Sequence, residues 1–133
     1  MTPSLYDPAS FRPCLLVAQA EPDDAARTAR SFRRLGWDVY TARTGPEVRR
    51  LARMLDSRLV VLDALLPEES GWLTCEKLTH ELPDVRVLLV DEDACPQRKS
   101  LAAFVGAAAL VARAAGPDAL LDLAGYVFVP AAG

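Results

Sequence analysis

Leu59-Val-Val-Leu-Asp63-Ala-Leu-Leu-Pro67-Glu-Glu-Ser-Gly71 is the stretch on which the reading of this chain turns. Its first four residues are apolar without polar alternation. That pattern fits a strand buried on both faces, as in a parallel sheet covered by helices. The run stops on a carboxylate, Asp63. A Pro and a Gly follow, then Trp72, Cys75, Leu78 and Leu82 at helical spacing. The stretch therefore reads as strand, turn, helix, with one Asp at the carboxyl end of a buried strand.

The same alternation extends in both directions. Upstream, Cys14-Leu-Leu-Val-Ala18 reads as a strand. Pro22 to Leu35 reads as a helix on Ala25, Ala26, Ala29, Phe32 and Leu35, closed by Gly36. Asp38-Val-Tyr-Thr-Ala42 reads as a second strand. Thr44-Gly-Pro-Glu47 is a capping box opening a helix through Val48, Leu51, Ala52 and Leu55. Downstream, Val85 to Val90 is a fourth strand and Pro96 to Val105 a short helix closed by Gly106. Ala108 to Ala112 is a weak fifth strand, and Pro117 opens a last helix that ends near Gly125. Five strand–helix units in succession predict an α/β fold, a doubly wound parallel sheet with right-handed crossovers. Ligands of such sheets bind at the carboxyl ends of the strands. Those ends carry Gln19, Ala20 and Glu21, then Arg43 and Thr44, then Asp63, then Asp91 and Glu92, then Arg113 and Ala114.

The chain has 133 residues, of which 51% are hydrophobic, the size of one domain with a core of its own. Residues 1–12 read as an irregular arm, 13–125 as the domain and 126–133 as a tail. The start lacks the basic and apolar pattern of a secretory signal, and no apolar run is long enough to span a membrane. Cys14, Cys75 and Cys95 are odd in number and widely spaced. They predict free thiols in a reducing, cytoplasmic setting. A single histidine, His80, gives little support to a zinc site and reads as a surface residue. Trp37 and Trp72 read as packing residues, as does Cys75, and Cys95 lies in an acidic loop that disfavours a thiolate. A net charge of −3 argues against bulk binding of nucleic acid. Charge is uneven, however. Arg27, Arg30, Arg33, Arg34, Arg49, Arg50 and Arg53 crowd the first half, as solvated faces or as a patch for an acidic protein. In the tail, Tyr126 to Val129 has strand character. It either folds back on the domain or docks on a partner.

The stretch from Leu59 to Gly71 resembles the phosphoacceptor segment of bacterial response-regulator receiver domains. The resemblance runs over residues 13–125. It includes Glu21-Pro22-Asp23, Leu35-Gly36, Thr41-Ala42 with Gly45, Val105-Gly106-Ala107 and Gly116-Pro117-Asp118. It implies a flavodoxin-like (βα)5 sheet in the order 2-1-3-4-5. It also implies a place in two-component signal transduction. A Mg²⁺ ion is implied, held by an acidic pair after the first strand, with a Thr or Ser after the fourth strand and a Lys followed by cis-Pro after the fifth. Against that pattern Asp63 is kept. Gln19 and Ala20 replace the acidic pair, Asp91 the hydroxyl, Arg113 the Lys, Ala114 the Pro, and Leu110 the switch aromatic.

The expected function is thus an atypical receiver, or pseudo-receiver, that is not an enzyme. It would bind proteins without phosphate, use no cofactor, and keep Asp63 and Asp91 bridged by Arg113. The alternative is a receiver that accepts phosphate on Asp63 from a histidine kinase with Mg²⁺; a further reading has Glu21 and Asp91 rebuild a metal site with Asp63. A flavin-binding flavodoxin relative is disfavoured by the acidic turn after the first strand. By family analogy the partner surface comprises Gln97, Arg98, Phe104, Leu110 and Asp118, serving a signalling protein or a second copy.

Overall fold

A computed structural model describes residues 12–127. The elements alternate as β1 (Cys14–Ala18), α1 (Pro22–Arg34), β2 (Asp38–Thr41), α2 (Gly45–Leu55), β3 (Leu59–Asp63), α3 (Gly71–Glu81), β4 (Arg86–Asp91), α4 (Pro96–Phe104), β5 (Ala109–Ala112) and α5 (Gly116–Val127). A single 3₁₀ turn, Arg113–Ala115, links β5 to α5. The five strands pair in parallel in the order β2-β1-β3-β4-β5. The predicted flavodoxin-like sheet is the one observed.

Successive residues of a strand face opposite sides of the sheet, so the apolar runs feed two cores. Leu16, Ala18, Val60, Leu62, Val87, Leu89 and Leu110 pack on Val48 and Ala52 of α2, Cys75 and Leu78 of α3, and Ala102 of α4. Leu15, Val17, Leu59, Val61, Leu88, Val90 and Val111 pack on Ala29 and Phe32 of α1 and on Leu120 and Ala124 of α5. Both tryptophans are half-buried. Trp37 meets Phe32 edge to face at 5.3 Å, and Trp72 packs against the first core, so both serve as packing residues. His80 is exposed. Burial pushes the Cys75 thiol up to about 12 and also raises that of Cys14.

Local chemistry sets the boundaries. The Thr44 hydroxyl accepts the Glu47 N–H and the Ser70 hydroxyl accepts the Leu73 N–H, so α2 and α3 begin on side-chain caps. Pro22 and Pro96 sit at the starts of α1 and α4, where a missing N–H costs nothing. Gly36 closes α1 at φ 91°, a conformation that side-chain-bearing residues rarely adopt. Tyr126 and Val127 are the last residues of α5 and not a strand. Continuing the helix ladder outweighs their intrinsic β preference, which is a weak bias. Phe128, Val129 and the rest of the tail lie outside the described residues, as does the arm before Arg12. Among the described residues no helix is long and apolar enough to cross a membrane.

Candidate functional site

The carboxyl ends of β1, β3, β4 and β5 converge on Asp63. It occupies the last position of β3, paired in register with Val90, and is fully buried. Gly71 supports it from below. The Gly71 N–H donates to the Ala64 carbonyl oxygen at 2.8 Å, and a Cβ at Gly71 would fall 1.9 Å from the Asp63 carbonyl oxygen. The loop after Asp63 is pinned by Glu69, which accepts from the Thr74 hydroxyl at 2.6 Å and from Lys77 at 2.8 Å. Burial alone would raise the Glu69 carboxyl. Its bonds to Lys77, Thr74 and Arg49 outweigh that and hold it low.

Asp63 Oδ2 accepts the Ala20 N–H at 2.7 Å. Arg113 Nη1 lies 3.3 Å from Asp63 Oδ2 and 3.4 Å from Oδ1. The same nitrogen reaches Asp24 Oδ2 at 3.2 Å, while Arg113 Nε donates to Glu92 Oε1 at 2.6 Å. One guanidinium thus joins three carboxylates, from α1, β3 and the loop after β4. Its planar fork of donors suits that task better than an ammonium would. Arg27 donates to the other oxygen of Asp24 at 2.6 Å. Burial raises the Asp63 carboxyl above its ordinary 3.8. The Ala20 amide and Arg113 oppose the rise without cancelling it. Partial burial would lower the Arg113 guanidinium, but Glu92 and Asp63 push it up, so it stays charged.

Asp91 does not join this cluster. The expected Asp63–Arg113–Asp91 bridge is replaced by Asp63–Arg113 with Asp24 and Glu92, while Asp91 Oδ2 pairs with Arg98 of α4. Asp91 Oδ1 accepts the Glu92 N–H at 2.8 Å. Arg98 stands seven residues along the chain, within the first turn of a helix that starts beside Asp91. Gln19 is spent as well, since its Oε1 accepts the Thr28 hydroxyl at 2.6 Å. The cavity beside Arg113, lined also by Gln19, Asp24 and Arg27, holds about 20 Å³, room for about one water. Sequence reading places Glu92 at a strand end without pairing it to Arg113, and misses Asp24. Their signal was an excess of carboxylates over cations at the strand ends.

The partner surface needs a correction too. Gln97, Arg98, Phe104 and Asp118 are exposed, but Leu110 is 8% exposed and packs in the core with Ala102 and Val105. An apolar side chain at that position of β5 is covered by α4 and presents nothing to a partner.

Asp63→Asn keeps an oxygen for the Ala20 N–H and removes a buried charge. Arg113 retains Asp24 and Glu92. Because the folded carboxyl titrates above its ordinary value, wild-type stability falls as pH rises from about 4 through the raised folded value. The variant lacks that loss. Urea unfolding at pH 7 is therefore expected to find Asp63→Asn more stable by about 1 kcal/mol, with the gap closing toward pH 4. A variant less stable at pH 7 would mean that the Arg113 attraction outweighs burial.

No family model matches the chain. A stretch of 76 residues is 37% identical to the probable transcriptional regulatory protein TcrX of Mycobacterium tuberculosis. It covers 57% of this chain and 32% of that protein, so the match spans about a third of the relative. Among solved structures, the receiver domain of the Francisella response regulator 1452 superposes with a TM-score of 0.82 at 19% identity, covering 88% of this chain and 97% of that one. CheY in the CheX–CheY–BeF3–Mg complex of Borrelia burgdorferi superposes with a TM-score of 0.81 at 17% identity, covering 89% and 90%. The fold is that of response-regulator receiver domains, the class to which the chain is similar.

That class implies Mg²⁺, a hard cation that takes several oxygen ligands. The residues present do not fit it. The end of β1 offers a methyl group and an amide already bonded to Thr28, and a guanidinium lies against Asp63. Among the described residues no three His, Cys, Asp or Glu side chains are grouped to hold a metal, and Asp91 is engaged by Arg98.

Proposed function

We propose that this receiver domain is a phosphorylation-independent protein-interaction module in bacterial signal transduction, acting in the cytoplasm without a cofactor and without enzymatic activity of its own. One observation carries the reading: Arg113 holds Asp63 together with Asp24 and Glu92, in the place where a phosphoryl group and its metal would have to enter. Transfer of phosphate to Asp63 adds up to two negative charges. Here they would meet Asp24, Glu92 and Asp91 with no divalent ion to neutralise them. At the position of the phosphate-bonding hydroxyl stands Asp91, whose carboxylate repels phosphate and is itself engaged by Arg98. Such a site favours one fixed arrangement over a switch between two.

The surface of α4, β5 and α5 is the proposed protein contact, by analogy with the class. Phe104 supports it, because an aromatic side chain left 84% exposed is the residue type that anchors interfaces. Gln97, Arg98 and Asp118 would form its polar surround. The Borrelia CheY, caught with CheX, is a relative that uses this fold to bind a protein.

Incubation with acetyl phosphate and Mg²⁺, followed by intact mass, tests the reading. The expected spectrum is that of the unmodified chain. A phosphoryl adduct that disappears in Asp63→Asn would overturn the proposal in favour of a phosphate-accepting receiver.

A further inference from the structure

A cleft of about 510 Å³ opens between α1 and the carboxyl ends of β1 and β2. One wall is α1. Ala25, Ala26 and Ala29 line it with methyl groups, where longer side chains would fill the space. Pro22, at the start of α1, and Pro67, in the loop after β3, add apolar surface. Phe32 and Ala29 seat α1 on the sheet, so the cleft belongs to a packed helix. Its charged lining has one sign. Arg33 and Arg43 contribute to it, and among the described residues no carboxylate does. Arg33 is held in place, its Nη2 donating to the Val39 carbonyl oxygen at 2.9 Å. Arg43, just past β2, is exposed and makes no ion pair or hydrogen bond among the described residues. Two other cavities lack this combination. The one beside Arg113 has room for about one water. A groove of about 140 Å³ between the ends of α2 and α3 is edged by both signs, Arg53 and Arg58 with Asp56 and Asp84.

We propose that this cleft binds a small organic acid, an apolar ring system that carries one carboxylate. Sites for small molecules are concave, about 300–1,000 Å³ in volume, and mostly apolar with a few polar groups that fix orientation. This cleft has that size and that lining. The rings would lie on the alanine wall. The free guanidinium of Arg43 can grip a carboxylate with two bonds, and Arg33 adds a second, fixed positive charge. A short acid without rings would gain nothing from the wall. A nucleotide is disfavoured, because phosphates on such folds are held by backbone N–H groups at a helix start. The turn into α1 is Gln19-Ala-Glu-Pro-Asp-Asp24, which is acidic and sets Pro22 where an N–H would be needed. The cleft also reaches the surroundings of Asp63. Ala20 lines it, and the Ala20 N–H donates to Asp63 Oδ2 at 2.7 Å. The proposal stands independently of whether Asp63 accepts phosphate.

The test titrates the full chain with naphthoate and follows amide correlation spectra. Naphthamide, with the same rings and no charge, and acetate, with the charge and no rings, are titrated in parallel. Naphthoate is expected to give saturable shifts at Ala20, Ala26, Ala29, Thr41 and Arg43. Naphthamide and acetate are each expected to bind at least about tenfold more weakly. Arg43→Ala breaks no observed bond. It should cost naphthoate about tenfold and leave naphthamide unchanged, a split that a loss of structure would not give. Ala26→Phe, at an exposed helix position, should block both ring compounds by filling the cleft, with circular dichroism confirming that the variant folds. No saturation, shifts centred elsewhere, naphthamide or acetate binding as tightly as naphthoate, or undiminished naphthoate binding in either variant would each overturn the proposal.

Discussion

Phe32→Ala is expected to lower the free energy of unfolding by about 3–5 kcal/mol. Phe32 is the fully buried aromatic residue, among those described, of the core formed by α1, α5 and one face of the sheet, with Trp37 packed at its edge. Truncation removes its transfer free energy and leaves a cavity that Ala29, Leu120 and Ala124, held by two helices and a sheet, can close only in part. It also removes the edge-to-face contact with Trp37, at 5.3 Å and 87°, which links α1 to the start of β2. For a domain of ordinary stability, about 5–15 kcal/mol, a large share would go. Guanidinium unfolding followed by tryptophan fluorescence measures it. A loss below about 1 kcal/mol would mean that α1 is not seated on the sheet as described.

Gly71→Ala is expected to cost about 3 kcal/mol or more and to disturb Asp63 directly. The reason is contact, not backbone conformation. The added Cβ would sit 1.9 Å from the Asp63 carbonyl oxygen, 2.8 Å from its carbonyl carbon and 2.9 Å from the Ala64 Cα. All three are backbone atoms, so no side chain can rotate away. Relief needs the start of α3 to back off from the end of β3, which breaks the Gly71 N–H bond to Ala64. Thermal unfolding should show the loss, and the amide signals of Ala20 and Asp63 should move with it. An unchanged melting temperature would contradict the close approach of β3 and α3.

The fold was legible because its signals are local and redundant. Apolar runs such as Leu59 to Leu62, without polar alternation, imply a sheet covered on both sides. Thr44, Ser70 and Gly36 mark where helices begin and end. Side-chain partners at the site were less legible. Asp63, Gln19, Ala20 and Arg113 could be placed at strand ends from the alternation. Which carboxylates Arg113 chooses depends on the reach of a long side chain across β1, β3 and β4. The Arg113 contacts to Asp63 and Asp24 span 50 and 89 positions of sequence. Arg98, close enough in sequence to take Asp91, leaves Arg113 to Glu92. Leu110 departs from the family surface because an apolar residue at that position is better buried. The β propensity of Tyr126 and Val127 says little at the end of a helix whose ladder can continue.

On the proposed reading the surroundings of Asp63 do not receive phosphate. The most direct test is an amide correlation spectrum of the full chain titrated with Mg²⁺ and beryllofluoride, in wild type and in Asp63→Asn. Both proteins are expected to give the same small shifts, without saturation at Ala20, Asp63, Asp91 or Arg113. A saturable, Mg²⁺-dependent change at those residues in wild type, absent from Asp63→Asn, would contradict it.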